Sequence, residues 1–111
     1  MATVWIPHPV SEDISAASPW GDVRPITAGY VYGDQYQESG EDYSPPDDVA
    51  RQISDTLRSE FDPLHDRLLI IGDHVQLLLA AAVLTEEFGG FLALRYDRKL
   101  RNYMSIRIET T

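Results

Sequence analysis

From Arg67 to Tyr96 the chain alternates between an apolar run, a long apolar stretch and another apolar run, each bounded by glycine. Leu68-Leu69-Ile70-Ile71 is short, unbroken and β-branched at its end, which predicts a strand covered on both faces. Gly72-Asp73 closes it. His74 to Phe88 follows without proline or glycine and predicts a helix, which Gly89-Gly90 ends. Phe91 to Tyr96 resumes an extended pattern. Strand, helix and strand over residues 67–96 make a Rossmann-like βαβ unit, which requires parallel strands.

The pattern upstream is less regular. Thr3 to His8 predicts a first strand, stopped by Pro7 and Pro9, and Ser11 is placed to cap a short helix through Ala17. Residues 22–32 read as a second extended piece. Pro25 within it argues for an edge strand or for a strand beginning after the proline. Residues 33–46 read as an exposed acidic loop. Ser44-Pro45-Pro46-Asp47 marks a helix start, with serine at the cap and proline in the first turn. That helix runs to about Phe61, with Val49, Ile53, Leu57 and Phe61 on one face and Asp48, Arg51, Asp55, Arg58 and Ser59 on the wet face. At the far end Met104, Ile106 and Ile108 alternate with Tyr103, Ser105 and Arg107, the signature of a strand with one buried face. The expected architecture is a single α/β domain over residues 1–111. Its sheet has about five strands, partly parallel, and ends in a C-terminal antiparallel hairpin.

Composition narrows the setting. The chain has no cysteine, which excludes disulfides and thiolate metal sites. No apolar run approaches the roughly 20 residues that span a bilayer, and the first residues lack the look of a signal peptide. The expectation is a cytoplasmic protein with no membrane association. The net charge of −9 is unevenly placed: residues 1–63 hold twelve acids against three bases, whereas residues 64–111 hold six of each.

Four places invite a chemical reading. The acidic loop interleaves Asp34, Glu38, Glu41 and Asp42 with Tyr32, Tyr36 and Tyr43, a pairing that suits a protein-binding surface, since each ring offers a rigid contact with a polar tip. The bland alternative is a solvated loop folded back on the domain. Gly72, Asp73 and His74 lie where open α/β sheets keep their ligands. They match neither a dinucleotide fingerprint nor a phosphate loop, and Asp73 with Gln76 forms a D-x-x-Q capping box that explains both residues without a ligand. His8 and His74 would approach each other if the first strand neighbours the one ending at Ile71, but no spacing supports a metal site. The turn flanked by Tyr96 and Tyr103 gathers Arg98, Lys99 and Arg101, next to Arg95. Bases beside aromatics can grip nucleic acid, yet the acidic background repels a polyanion, and bases also blunt a sheet edge. Direct nucleic-acid binding is therefore not expected. No catalytic residues and no cofactor emerge.

The run Leu69-Ile70-Ile71-Gly72-Asp73-His74-Val75-Gln76-Leu77, the small residues Ala80-Ala81-Ala82, Gly90, and Leu94-Arg95-Tyr96-Asp97-Arg98 through Arg101 and Tyr103 resemble a family of small uncharacterised bacteriophage proteins. The resemblance covers residues 67–108 well and the first 63 poorly. It implies a source and a fold and carries over no catalytic residue; the host cytoplasm would then be the setting. The expected role is a non-enzymatic phage accessory protein that binds a host or phage macromolecule, as an inhibitor or anti-defence factor, through the acidic tyrosine surface. The alternatives are a small nucleotide- or metal-dependent enzyme at Gly72–His74, and a virion structural component. The helix over 74–88 has almost no polar face, so a homodimer through it or through an edge strand is also expected.

Overall fold

The computed structural model describes residues 1–110. Five strands form one sheet in the order β2-β1-β5-β6-β7, where β1 is Thr3–Ile6, β2 Asp22–Pro25, β5 Arg67–Leu69, β6 Gly90–Asp97 and β7 Asn102–Glu109. β1 runs parallel to both β2 and β5, β5 runs parallel to β6, and β6 and β7 close an antiparallel hairpin. The βαβ unit is as expected, with helix α2 at His74–Phe88 joining β5 to β6. Helix α1, Asp47–Glu60, packs beside α2.

Alternation along the strands divides the core into two layers. Trp5, Leu68, Phe91 and Ala93 face the helices, where they meet Ile53, Leu57, Ala80 and Leu84. Val4, Ile6, Leu69 and Leu94 face the other way, onto Ala17 and Tyr103. Each fully buried aliphatic side chain contributes about 1.5–3 kcal/mol. One carboxylate ties the sheet's edge together. Asp66, almost wholly buried, accepts from the backbone N–H of Thr3 (2.9 Å) and Asp62 (3.0 Å) and from the indole Nε1–H of Trp5 (2.9 Å).

Several local expectations are corrected. The short helix after Ser11 is a 3₁₀ turn at Ser15–Trp20, with Pro19 inside it. Of the extended piece 22–32 only Asp22–Pro25 is strand; it is the edge strand, with Pro25 as its last residue. The acidic segment is exposed but not an irregular loop. It forms a 3₁₀ turn at Gly33–Gln35 and a small hairpin of β3, Gln37–Ser39, against β4, Asp42–Ser44. Ser44 is the last residue of β4 and does not cap α1, because Pro46 holds Pro45 extended and so keeps it from being the first helical residue. Pro46 occupies the cap position without a side-chain bond, and the Asp48 carboxylate accepts from the N–H of Val49 at 3.0 Å. Strand β5 stops at Leu69, and Ile70 is 48% exposed rather than covered on both faces.

Candidate binding surface at the carboxyl edge of the sheet

Chain order places a switch between β1 and β5. From β1 the chain goes to β2 on one side, then returns through α1 to β5 on the other. In open α/β sheets the crevice outside the carboxyl ends of two such strands is where ligands sit. Two loops meet there, Pro7–Ile14 after β1 and Ile70–Asp73 after β5.

Their junction is made by His8, which is 5% exposed. Its Nε2 accepts the backbone N–H of Asp73 at 3.0 Å, and its Nδ1 lies 2.8 Å from the Pro9 carbonyl. A carbonyl only accepts and an amide N–H only donates, so the ring is the neutral Nδ1–H tautomer with both nitrogens engaged. Gly72 passes so close that a Cβ would stand 2.8 Å from Nε2, and its φ of +82° is one that glycine accepts readily.

Asp73 caps α2, its Oδ2 accepting from the N–H of Gln76 at 2.9 Å. The other half of the expected box does not form. The Gln76 side chain, fully buried, turns to the loop between Ile26 and Tyr32 instead. Its amide donates to Thr27 Oγ1 (3.0 Å), and its Oε1 accepts from the N–H of Val31 (3.1 Å). Thr27 in turn is bonded to the Pro7 carbonyl through its N–H and its hydroxyl. His74 is exposed on the first turn of α2. His8 therefore reaches Asp73 through a backbone bond. Among the described residues no three His, Asp or Glu side chains cluster as a metal ion would require.

This clamp presents tyrosines. The rings of His8 and Tyr30 meet edge to face at 5.3 Å, and Tyr30 and Tyr32 follow at 4.9 Å. The Tyr36 hydroxyl is pushed above the usual tyrosine value by burial first, then by the Asp73 carboxylate and by Tyr30. The structure thus brings together two candidates that the sequence keeps apart, the acidic tyrosine segment and the Gly72–Asp73 turn. Beyond Tyr36 the hairpin is exposed, Tyr43 at 65%, and so is Tyr32 ahead of it, also at 65%. Asp34, Glu38, Glu41 and Asp42 take part in no ion pair among the described residues.

The matching family sequence model, described as Phage Pam3 gp32-like protein, covers residues 5–110. The chain belongs to that family. The match extends far upstream of the segment 67–108. No curated protein and no solved structure gives a significant match.

The basic residues stand at the same edge of the sheet but around a different cleft. Arg98, Lys99 and Arg101 are exposed in the β6–β7 turn, where Asp97 Oδ1 accepts the N–H groups of Lys99 and Leu100, each at 2.9 Å. Arg101 has a φ of +52°. It joins Glu12, Asp13, Tyr96 and Tyr103 around a cleft of about 420 Å³. Arg95 is exposed on the helix-facing side of β6. Acids therefore border this cluster, which is not a continuous basic stripe. Sequence reasoning missed His8 and Gln76 as organisers. Their only signal was a polar side chain beside an apolar strand and another in the first turn of an apolar helix.

Among the described residues no helix is long and apolar enough to cross a membrane.

Proposed function

We propose that this phage-family protein acts without catalysis, as an accessory factor that binds a protein of the host or the phage through the face formed by Tyr32, Asp34, Tyr36, Glu38, Glu41, Asp42 and Tyr43. The observation that carries this reading is the combination of order and exposure. The segment is folded into a hairpin, and its root is held by the His8–Asp73 and Gln76–Val31 bonds. Even so, it holds out to solvent two tyrosines and four carboxylates that have no ion-pair partner among the described residues. Tyrosine loses little conformational freedom on binding, and unpaired carboxylates steer a basic partner at long range. A basic, groove-bearing protein surface is the complementary class of target.

The test replaces Asp34 and Asp42 by Asn and Glu38 and Glu41 by Gln in one chain. Affinity capture from the host should lose the partner retained by the unaltered protein, with the melting temperature unchanged. Capture of the same partner by the neutralised chain refutes the reading.

A second reading, a nucleotide- or metal-dependent site at Gly72, Asp73 and His74, draws on their place at the strand switch. Both ring nitrogens of His8 and the cap oxygen of Asp73 are already engaged there. Stabilisation by a nucleotide or divalent ion that Asp73→Asn abolishes would favour it over the first.

A further inference from the structure

Helix α2 buries one row of side chains, Gln76 against the loop that holds Thr27 and Val31, and Ala80 and Leu84 in the core shared with the sheet and α1. Residues advance about 100° around a helix per step, so His74, Leu78, Ala82 and Glu86 form the opposite row. All four are exposed, Leu78 at 69% and the Glu86 side chain at 75%. Beside this row an apolar groove of about 340 Å³ runs between α2 and the sheet, walled by Leu77, Leu78 and Ala81 and floored by Phe91, Ala93 and Ile108. The floor stays open toward β7, where Met104 and Ile108 are 39% and 37% exposed. A second surface laid on this groove would take Leu78 and its apolar neighbours out of water.

The row is complementary to itself when reversed. Positions 74 and 86 lie equally far from position 80, and so do 78 and 82. A second α2 laid antiparallel about a two-fold axis at the level of Ala80 sets the large Leu78 over a small Ala82. It sets the His74 imidazole beside a Glu86 carboxylate, and the symmetry repeats both contacts. A small residue opposite a large one lets helix axes approach to the 8–10 Å of close packing. A closed two-fold contact needs a patch that matches itself in this way. Arg58 Nη2, 3.5 Å from Glu86, supports that carboxylate from behind while leaving it accessible.

Charge selects the same occupant. The excess of nine negative charges belongs to residues 1–63, and residues 64–111 are balanced. Two copies joined through α2 meet at their neutral halves. Joined through the acidic hairpin they would repel. We propose that the protein forms a two-fold homodimer in which α2 packs antiparallel on α2 of a second copy, Leu78 over the partner subunit's Ala82 and His74 beside the partner subunit's Glu86.

The test is sedimentation equilibrium of the full chain over a wide concentration range. The expected mass is twice the 12.5 kDa of one chain, and Leu78→Asp should give single chains at every concentration with its melting transition intact. Setting a like charge against the partner subunit's Glu86, His74→Glu, should weaken association by about tenfold at each of the two symmetric contacts, about a hundredfold in all. Adding Glu86→Lys to that chain should restore it. Because the protein has no cysteine, a mixture of Leu78→Cys and Ala82→Cys chains should oxidise to the mixed disulfide ahead of either symmetric one. A wild-type protein that stays at one chain's mass overturns the proposal, as does a dimer that Leu78→Asp leaves intact. Failure of the added like charge to weaken, or of the second change to restore, overturns the antiparallel pairing.

Discussion

The imidazole of His8 receives the backbone N–H of Asp73 at 3.0 Å, joining the loop after β1 to the first turn of α2 across 65 residues of chain. This bond closes the strand switch from within. It sets the platform on which Tyr30, Tyr32 and Tyr36 stand. Replacing His8 by Phe keeps the ring and removes the acceptor. A buried donor left without a partner costs about 1–3 kcal/mol, and urea unfolding should show a loss of that size. Gly72→Ala should destabilise comparably or more, since it combines a positive φ with a Cβ driven into the same ring.

Gln76→Leu tests the second tie. The substitution preserves an apolar volume in α2 but leaves the Val31 N–H and the Thr27 hydroxyl short of partners. Stability should fall by about 1–3 kcal/mol. Hydrogen exchange at Val31 should accelerate far more than exchange in β6, because the loop is released while the sheet is not.

Asp66→Ala removes one acceptor from three donors, two of them backbone. It should be the most damaging of these single changes, at least about 3 kcal/mol. A changed Trp5 emission would report the broken indole bond in any chain that still folds.

Acid should reach Asp62 only below the ordinary carboxylate range. Its carboxyl is held below the ordinary aspartate value by the His65 side chain, 2.8 Å away, and then by the Leu64 N–H. A lowered value in the folded state means a stabilising contribution present above the ordinary carboxylate range and lost as pH falls through the folded value. His65→Ala should remove part of that acid sensitivity. The site is exposed, so the change in a pH–stability profile should be small.

Base should act through Tyr36 and Tyr103, whose hydroxyls are both raised, chiefly by burial. Raised values stabilise the fold below the ordinary tyrosine range, and that contribution is lost as pH rises through the folded values. Ultraviolet titration should show these two ionising last among the tyrosines. Asp73→Asn keeps a good helix cap yet should bring Tyr36 down and leave Tyr103 in place. An unmoved Tyr36 would contradict the juxtaposition of hairpin and turn.

The parts legible in the sequence are those where one pattern decides. Leu68 to Tyr96 could be read because an apolar helix between glycines and two apolar runs admits one arrangement, and α1 because Val49, Ile53, Leu57 and Phe61 keep a strict step. Ser44 misled because local cap chemistry competed with two prolines that hold the chain extended. Ile70 misled because hydrophobic character does not say whether a neighbour exists to cover it. The hairpin at 37–44 carries no alternation, for it buries neither face. The roles of His8 and Gln76 depend on partners 65 and 45 residues away, and no local window contains such information.

Every side chain from 37 through 44 is exposed, so the scaffold places almost no demand on what that stretch spells. Mutations there are free of the folding constraint that holds Trp5 or Leu84 in place. A lineage facing a changing opponent could rewrite its tip within few generations while keeping one unaltered body, and an engineer could exchange it for another short hairpin by the same licence.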